Sequence, residues 1–259
     1  MSLVISLVAN LYAQDTLVKQ TRSFNGFVHA EGGFLFPNGD MKDGIAIRQN
    51  LSSYYVDQSS DGEVNSSNIG FFAGLRYELF STKLKTGLSS GLRFIVFTSE
   101  VSGQSSSTAD FVYLRYSMLN SDTKFARVKS INEIKNMICI PVEMTFVPLQ
   151  FKEFGLFVKA GAEFSAFMIK NETTIDFQQS NMKVYEKEIL KSMGATSGDF
   201  YSSFYSSLGL KVGKPNKTNL VLEVFLPSFY MSDNNFSLMH VRNYGGLKGS
   251  LQFSLNKSN

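Results

Sequence analysis

The sequence predicts an all-β protein, and three observations support this. About eight segments alternate apolar and polar residues, which is the pattern of strands with one apolar face. Charged residues recur on the polar face of nearly every segment, where a two-sheet sandwich would have to bury them. The links between the segments are long and short in turn. Together these features predict an eight-stranded antiparallel up-and-down transmembrane β-barrel, with short periplasmic turns and long extracellular loops.

The composition fits such a barrel and excludes several other classes. The chain has 259 residues, of which 43% are hydrophobic, with 24 Phe and 11 Tyr. The net charge of +3 is too small to indicate a nucleic-acid partner. Cys139 is the only cysteine in the sequence, so an internal disulfide and a cysteine-based metal cluster are both excluded.

The first residues resemble a secretion signal. We expect residues 1–13 to be a signal peptide and residues 14–259 to form a single outer-membrane β-barrel domain. Residues 3–9 are an apolar core, and Ala13 supplies the small residue that signal peptidase prefers. The segment before this core lacks Lys and Arg, which is consistent with a start further upstream. An apolar first strand or a buried helix is the alternative interpretation.

The first three predicted strands lie in the N-terminal half of the chain. The first spans residues 24–36, and the turn-forming residues 37–40 end it. The second and third span residues 69–80 and 84–96 and form a hairpin around a short link. Apolar side chains fill alternate positions of all three, which is the period of a strand.

Five further strands are predicted by the same alternation. They span residues 138–148, 154–168, 200–213, 220–226 and 247–255. Short turns are predicted at residues 81–83, 150–153 and 214–219, and long loops at residues 40–67, 102–136, 171–199 and 232–243. Within the third loop, residues 183–191 have the spacing of a short helix over the barrel mouth.

The alternation assigns side chains to two faces of the predicted barrel. Residues expected to face lipid near the middle of the membrane are Leu75, Leu92, Val142, Leu222 and Leu251. Charges expected to face the lumen are Glu31, Arg76, Glu78, Lys85, Arg93, Glu143, Lys159, Glu163, Lys211, Glu223 and Lys248.

The lumen charges predict a plug rather than an open pore. An eight-stranded barrel is about wide enough for its own side chains to fill. An unpaired charge in a mostly dry lumen is costly, so we expect these charges to pair. A narrow porin-like channel or a solute-binding lumen is the alternative. A lipocalin-like soluble barrel would instead carry its apolar residues inward.

A catalytic function rests on one histidine. His29 and Glu31 are two residues apart on the predicted inward face, which suits a base and its orienting partner. An outer-membrane enzyme that modifies lipids or peptides with His29 is therefore a second alternative. The sequence contains no P-loop, metal-binding spacing or nucleophile elbow. We expect no catalytic centre, no cofactor and no metal.

Residues 138–144, with the sequence ICIPVEM, resemble a strand of known outer-membrane proteins. The segment is similar to a strand signature of the PorT-like group of Bacteroidetes outer-membrane β-barrel proteins. The opening strand from Gly26 and the LYAQ at residues 11–14 are also similar to that group. Glu143 stands where the family is usually apolar, and the chain ends in NKSN, which leaves Phe253 as the aromatic assembly signal. The resemblance implies an eight-stranded barrel in the outer membrane and little about activity.

These features together predict a secreted outer-membrane protein with a structural, interaction or envelope-associated role. A signal peptide would direct it across the inner membrane. We expect a monomer that contacts outer-membrane lipid and does not bind nucleic acid. Rigid scaffolds commonly carry recognition on their loops, so the long loops are the expected contact for an extracellular or envelope protein.

Overall fold

In a computed structural model, the residues whose structure is described are 24–41, 47–48, 64–103, 112–117, 123–151, 153–192, 198, 200–214, 217–231 and 236–255. The predicted signal peptide lies outside these ranges. Within them, no helix has the length and apolar character needed to cross a membrane.

The described residues lie mainly in strands, and two short helical segments follow the seventh strand. The strands are β1 (Phe24–Met41), β2 (Ile47–Arg48), β3 (Val64–Ser81), β4 (Thr86–Gly103), β5 (Val112–Ser117), β6 (Thr123–Gln150), β7 (Phe154–Phe177), β8 (Ser202–Val212), β9 (Asn219–Tyr230) and β10 (Met239–Ser254). A 3-10 helix (Ser180–Tyr185) and helix α1 (Glu186–Ser192) follow β7.

Eight of these strands close into a ring. Their order is β6-β4-β3-β1-β10-β9-β8-β7, and the pairing of β6 with β7 closes the sheet. Every pairing is antiparallel, and sequential ring strands are neighbours. β5 pairs with the N-terminal half of β6, and β2 pairs with β5, so both lie outside the ring. The predicted eight-stranded antiparallel barrel is confirmed.

The hairpin between β3 and β4 corrects one predicted position. Residues 82–85 form its turn, and Lys85 adopts a positive φ of 53° there. The alternation of β4 starts only after this residue. Lys85 is therefore exposed at the turn end of the barrel and does not face the lumen, contrary to the sequence prediction.

Several strands run well beyond the predicted boundaries. The expected loop 102–136 contains β5 and the first part of β6, and the expected loop 171–199 begins inside β7. The first part of β6 and the end of β7 carry polar residues on both faces, so the sustained alternation that reveals a lipid-facing strand is lost there. The short helix predicted at residues 183–191 is present, as α1 and part of the 3-10 helix.

A β-bulge in the ladder between β6 and β7 reverses one face. The register shifts between Ile138 and Cys139 and again between Asn136 and Met137. Because a bulge inserts an extra residue, the side chains beyond it change sides. Phe167 is exposed on the outside, whereas Met168, which the simple alternation placed outside, packs against the interior.

Candidate functional site

An apolar belt covers the outside of the barrel. The five residues predicted to face lipid, Leu75, Leu92, Val142, Leu222 and Leu251, are all exposed on this outer surface. Leu75 and Leu92 are 64% and 59% exposed and are directly paired across β3 and β4. A soluble barrel would bury such residues. The surface is instead typical of a barrel whose strands contact lipid.

The interior contains the charges. Nine of the eleven predicted lumen residues are buried inside: Glu31, Arg76, Glu78, Arg93, Glu143, Lys159, Glu163, Glu223 and Lys248. Lys211 is half-buried at the end of the barrel that carries the short turns, which we call the turn end. Lys85 is the exception described above.

Glu143 is the centre of an ion-pair network. Its side chain is fully buried, and its two oxygens face four cationic groups and one phenol. Arg76 Nη1 lies 2.9 Å from Glu143 Oε2, and Lys159 Nζ lies 3.1 Å from the same oxygen. Tyr205 donates a 2.7 Å hydrogen bond to Glu143 Oε1. Gly161 makes room for this phenol, since a Cβ there would lie 2.8 Å from the Tyr205 ring.

The two arginines connect Glu143 to the neighbouring carboxylates. Arg93 donates to Glu31 Oε1 from Nε at 2.9 Å and from Nη2 at 2.6 Å, and its Nη1 donates to Glu163. Arg76 Nε donates to Glu31 Oε2 at 3.2 Å. The Arg93 guanidinium also lies 4.6 Å from the centroid of the Phe72 ring. Both arginines therefore have oriented, charge-assisted partners on several strands.

The two lysines complete the network on the opposite wall. Lys159 Nζ lies 2.7 Å from Glu223 Oε1, and Lys248 Nζ lies 2.9 Å from Glu223 Oε2. Lys248 also lies 3.3 Å from Glu143 Oε1. Four cations thus face four carboxylates, so the group is balanced. We call it the charge cluster: Glu31, Arg76, Arg93, Glu143, Lys159, Glu163, Glu223 and Lys248.

His29 lies nearer the turn end and pairs with a residue that the sequence did not indicate. Its Nε2 lies 2.8 Å from Glu78 Oε2, and its Nδ1 lies 3.4 Å from Arg76 Nη2. Gln252 donates to Glu78 at 3.0 Å. The neighbour expected from spacing, Glu31, is instead held by Arg76, Arg93 and Lys248. Register across β1 and β3, and not proximity in sequence, decides the pair.

A mainly aromatic group of buried side chains packs inside the barrel, on the side of the charge cluster that is away from the turn end. Along β4, Arg93 is followed inward by Ile95 and Phe97, which are both buried. Phe97 packs edge-on against Phe236, with ring centroids 5.4 Å apart. The sequence pattern does not predict this group because its members lie on several strands. We call it the aromatic layer: Leu35, Phe72, Ile95, Phe97, Met137, Cys139, Tyr201, Tyr205, Phe225, Phe236 and Tyr244.

A second apolar group lies at the end of the barrel opposite the turn end, which we call the outer end. Ile189 of α1 is fully buried and packs with side chains from β4, β5, β6, β7 and β10. Glu186 Oε1 accepts from the backbone N–H of Ile175 at 2.6 Å, which fixes α1 to the end of β7. We call this group the outer cluster: Val101, Leu114, Ala126, Val128, Ile131, Ile175, Phe177, Ile189, Leu238 and Met239.

Two buried charges at this end bind backbone groups of neighbouring loop segments, and neither is predicted from the sequence pattern. Glu133 accepts from the backbone N–H of Ser237 at 2.8 Å and of Leu238 at 3.4 Å. Lys135 donates to the carbonyl of Gly198 at 3.3 Å and lies 5.6 Å from the Phe236 ring centroid. Both residues fall in a segment predicted to be a loop, where no alternation indicated an inward face.

A cavity opens at the turn end. Its volume is about 70 Å³. Its walls combine aromatic side chains with a few polar groups, among them His29, Glu78, Thr145, Lys211 and Gln252. Among the described residues, no group of three or more His, Cys, Asp or Glu side chains is arranged to hold a metal ion.

Distant structural likenesses to this chain include three outer-membrane or autotransporter structures. No protein-family profile matches the chain, and no curated protein matches it. The outer membrane protein OprG from Pseudomonas aeruginosa is 11% identical, with a TM-score of 0.44 over 88% of this chain and 96% of that chain. The translocator domain of autotransporter NalP from Neisseria meningitidis is 12% identical, with a TM-score of 0.28 over 96% and 94%. The transport unit of the autotransporter AIDA-I from Escherichia coli is 9% identical, with a TM-score of 0.27 over 97% and 98%.

Proposed function

We propose that this chain is an integral outer-membrane β-barrel whose sealed interior makes it a membrane-embedded scaffold, with its specific role carried at the outer end. The observation that carries this proposal is the inversion of the barrel. Exposed leucines such as Leu75 and Leu92 cover the outside, and balanced charges are buried inside. Only a closed barrel satisfies every backbone hydrogen bond of a sheet within lipid.

The length of the connections supports the orientation. Bacterial outer-membrane barrels place short turns in the periplasm and longer segments outside the cell. Here the connection between β3 and β4 is residues 82–85, whereas β6 and β7 continue together for many residues past the belt. We therefore place the outer cluster and α1 outside the cell, and the turn-end cavity in the periplasm.

The layers inside the barrel argue against a channel. A solute that entered from the turn end would meet the charge cluster, then the aromatic layer, then the outer cluster. Each layer is packed from side chains of several strands, and Ile189 and Leu238 are fully buried at the outer end. A narrow porin-like lumen would have to displace all three.

The outer end is the surface that we assign to recognition. β5, β6 and β7 project there with the 3-10 helix, on which Val184 is 84% exposed. We propose an extracellular or envelope protein as the partner of this end, and a monomeric barrel in lipid. We also propose membership in the PorT-like group, which rests on the similarity of residues 138–144.

We further propose that His29 has a structural role and that the protein is not an enzyme. Both ring nitrogens of His29 lie near buried partners, namely Glu78, Arg76 and Gln252. A general base needs a nitrogen that can reach a reacting group. We expect partner binding at the outer end to be unchanged by His29→Ala.

Site-directed labelling tests the membrane placement. Cys139 is the only cysteine of the sequence. A Cys139→Ser background therefore leaves each introduced cysteine as the only thiol. We expect an impermeant maleimide added to intact cells to label Gln179→Cys, an exposed position beyond β7. It should label Lys214→Cys, near the turn after β8, only after the outer membrane is permeabilised. Labelling of Lys214→Cys in sealed cells would show that the orientation is the reverse of the one proposed. Full labelling of Leu75→Cys would show that the belt is not in the membrane.

Conductance measurements test the sealed interior. We expect the purified protein, reconstituted in a planar bilayer, to show no sustained single-channel conductance, because three packed layers cross the lumen. Ile189→Ser with Leu238→Ser should loosen only the outer cluster and still conduct no ions, since the charge cluster remains packed. Steady ion conductance by the unmodified chain would support the channel alternative instead.

A further inference from the structure

The geometry points to a binding site for a small organic anion in the turn-end cavity, specifically a carboxylate with a short apolar tail. Three features of the cavity lead to this conclusion: an ammonium group with no carboxylate partner and a buried hydroxyl with no hydrogen-bond partner among the described residues, and an apolar wall. The site is distinct from the outer end to which the proposed function assigns recognition. It depends on the proposed function only for the compartment that it faces.

The first feature is Lys211. Among the described residues, no carboxylate lies within salt-bridge distance of its ammonium. The Lys211 ammonium lies 4.9 Å from the centroid of the Phe27 ring. The other lysine of the cavity, Lys159, is already paired with Glu143 and Glu223. A half-buried ammonium that is held by an aromatic ring retains donors for an incoming anion.

The second feature is Thr145. Its side chain lines the cavity and is 6% exposed. Its hydroxyl oxygen is one of the buried polar atoms for which the described residues provide no hydrogen-bond partner. Buried polar groups are normally satisfied, so an orphaned hydroxyl at a cavity wall indicates a position where a ligand oxygen or a water is bound.

Glu78, the acidic side chain of the cavity wall, does not pair with Lys211 in place of an anionic ligand. Glu78 is engaged by His29 at 2.8 Å and by Gln252 at 3.0 Å. Among the described residues Glu78 forms no salt bridge with Lys211, and its contacts with His29 and Gln252 use donors that would otherwise be available to a ligand. The Lys211 ammonium and the Thr145 hydroxyl are two donors of the cavity wall that remain for a ligand.

The third feature is the wall, which sets the size and character of the tail. Phe80, Val147, Phe157 and Val221 line the cavity. A volume of about 70 Å³ is the space of roughly five to seven water positions at the usual 10–15 Å³ each. This matches a carboxylate with a chain of a few carbons, with its head on Lys211 and Thr145 and its tail against the phenyl rings.

Methyl NMR of the full chain in lipid nanodiscs tests the site with hexanoate as the probe. We expect saturable shifts of the Val147 and Val221 methyl resonances, with the outward Leu92 methyls unchanged. Hexylammonium should not produce these shifts. Lys211→Met should weaken hexanoate binding by about tenfold or more. Lys85→Met, which removes an exposed lysine at the same end, should not.

A second variant separates binding from folding. Thr145→Val keeps the side-chain shape and removes a hydroxyl that has no hydrogen-bond partner among the described residues, so the melting temperature should stay the same while hexanoate binding weakens. Equal shifts from hexanoate and hexylammonium would overturn the anion site. So would undiminished binding to both Lys211→Met and Thr145→Val, or no saturable shift at millimolar hexanoate. The labelling result above does not depend on any of these outcomes.

Discussion

Glu143→Gln is expected to be the most destabilising conservative substitution in the barrel. The change preserves the shape of the side chain but leaves Arg76, Arg93, Lys159 and Lys248 with one carboxylate fewer. Breaking a buried ion pair from one side costs about 3–5 kcal/mol, because the remaining charge is uncompensated. Denaturant unfolding of the barrel in lipid vesicles, followed by circular dichroism, measures this loss.

A matched pair of variants shows that the loss comes from charge imbalance. Lys159→Met alone should destabilise the barrel more than Lys159→Met combined with Glu223→Leu, since the double variant restores neutrality. Glu172→Gln, which changes an exposed residue paired with Lys170, should leave the unfolding free energy unchanged within error. If Glu143→Gln unfolds like the unmodified chain, the interior is wet and water solvates its charges.

Leu92→Arg is expected to have the second-largest effect. Leu92 is 59% exposed in the apolar belt and is paired with Leu75 on β3. A lipid-facing arginine near the bilayer midplane costs about 2–4 kcal/mol, and about 0–1 kcal/mol near the interface. The same vesicle unfolding assay gives the cost directly.

The same hairpin supplies the control for this prediction. Leu84 is 65% exposed, but it lies in the turn between β3 and β4, at the end of the barrel. Leu84→Arg should therefore cost little, although the chemical change is identical. Equal costs at the two positions would mean that the belt is not in contact with hydrocarbon, and the membrane interpretation would be wrong.

The barrel strands could be predicted because lipid and lumen impose opposite demands on neighbouring residues. Where both demands act, as on β4 around Leu92 and Arg93, the sequence alternates and its faces are evident. β5 and the first part of β6 extend beyond the belt and lack a sustained alternation of apolar and polar residues, so the sequence predicts a loop there. The missed Glu133 and Lys135 lie in that region.

Positions at the edges of regular structure could not be assigned from alternation alone. Lys85 fits the period of β4 but lies in a turn with positive φ, which exposes it. Met168 fits the period of β7 but follows a bulge in the ladder with β6, which directs it inward. Period-two counting holds only while the hydrogen-bond register is unbroken.

By itself, the sequence determined the closed antiparallel architecture and the face on which each belt leucine and most interior charges lie. The tertiary structure alone decided the partners: Glu143 at the centre of four cations, His29 on Glu78, and Lys211 without a carboxylate partner among the described residues. The physical reason is that a strand's sequence encodes side-chain direction through the pleat. Which side chains meet depends on the position of each one along the barrel axis. That position is set by the register of every neighbouring strand, and only the closed sheet fixes all of those registers together.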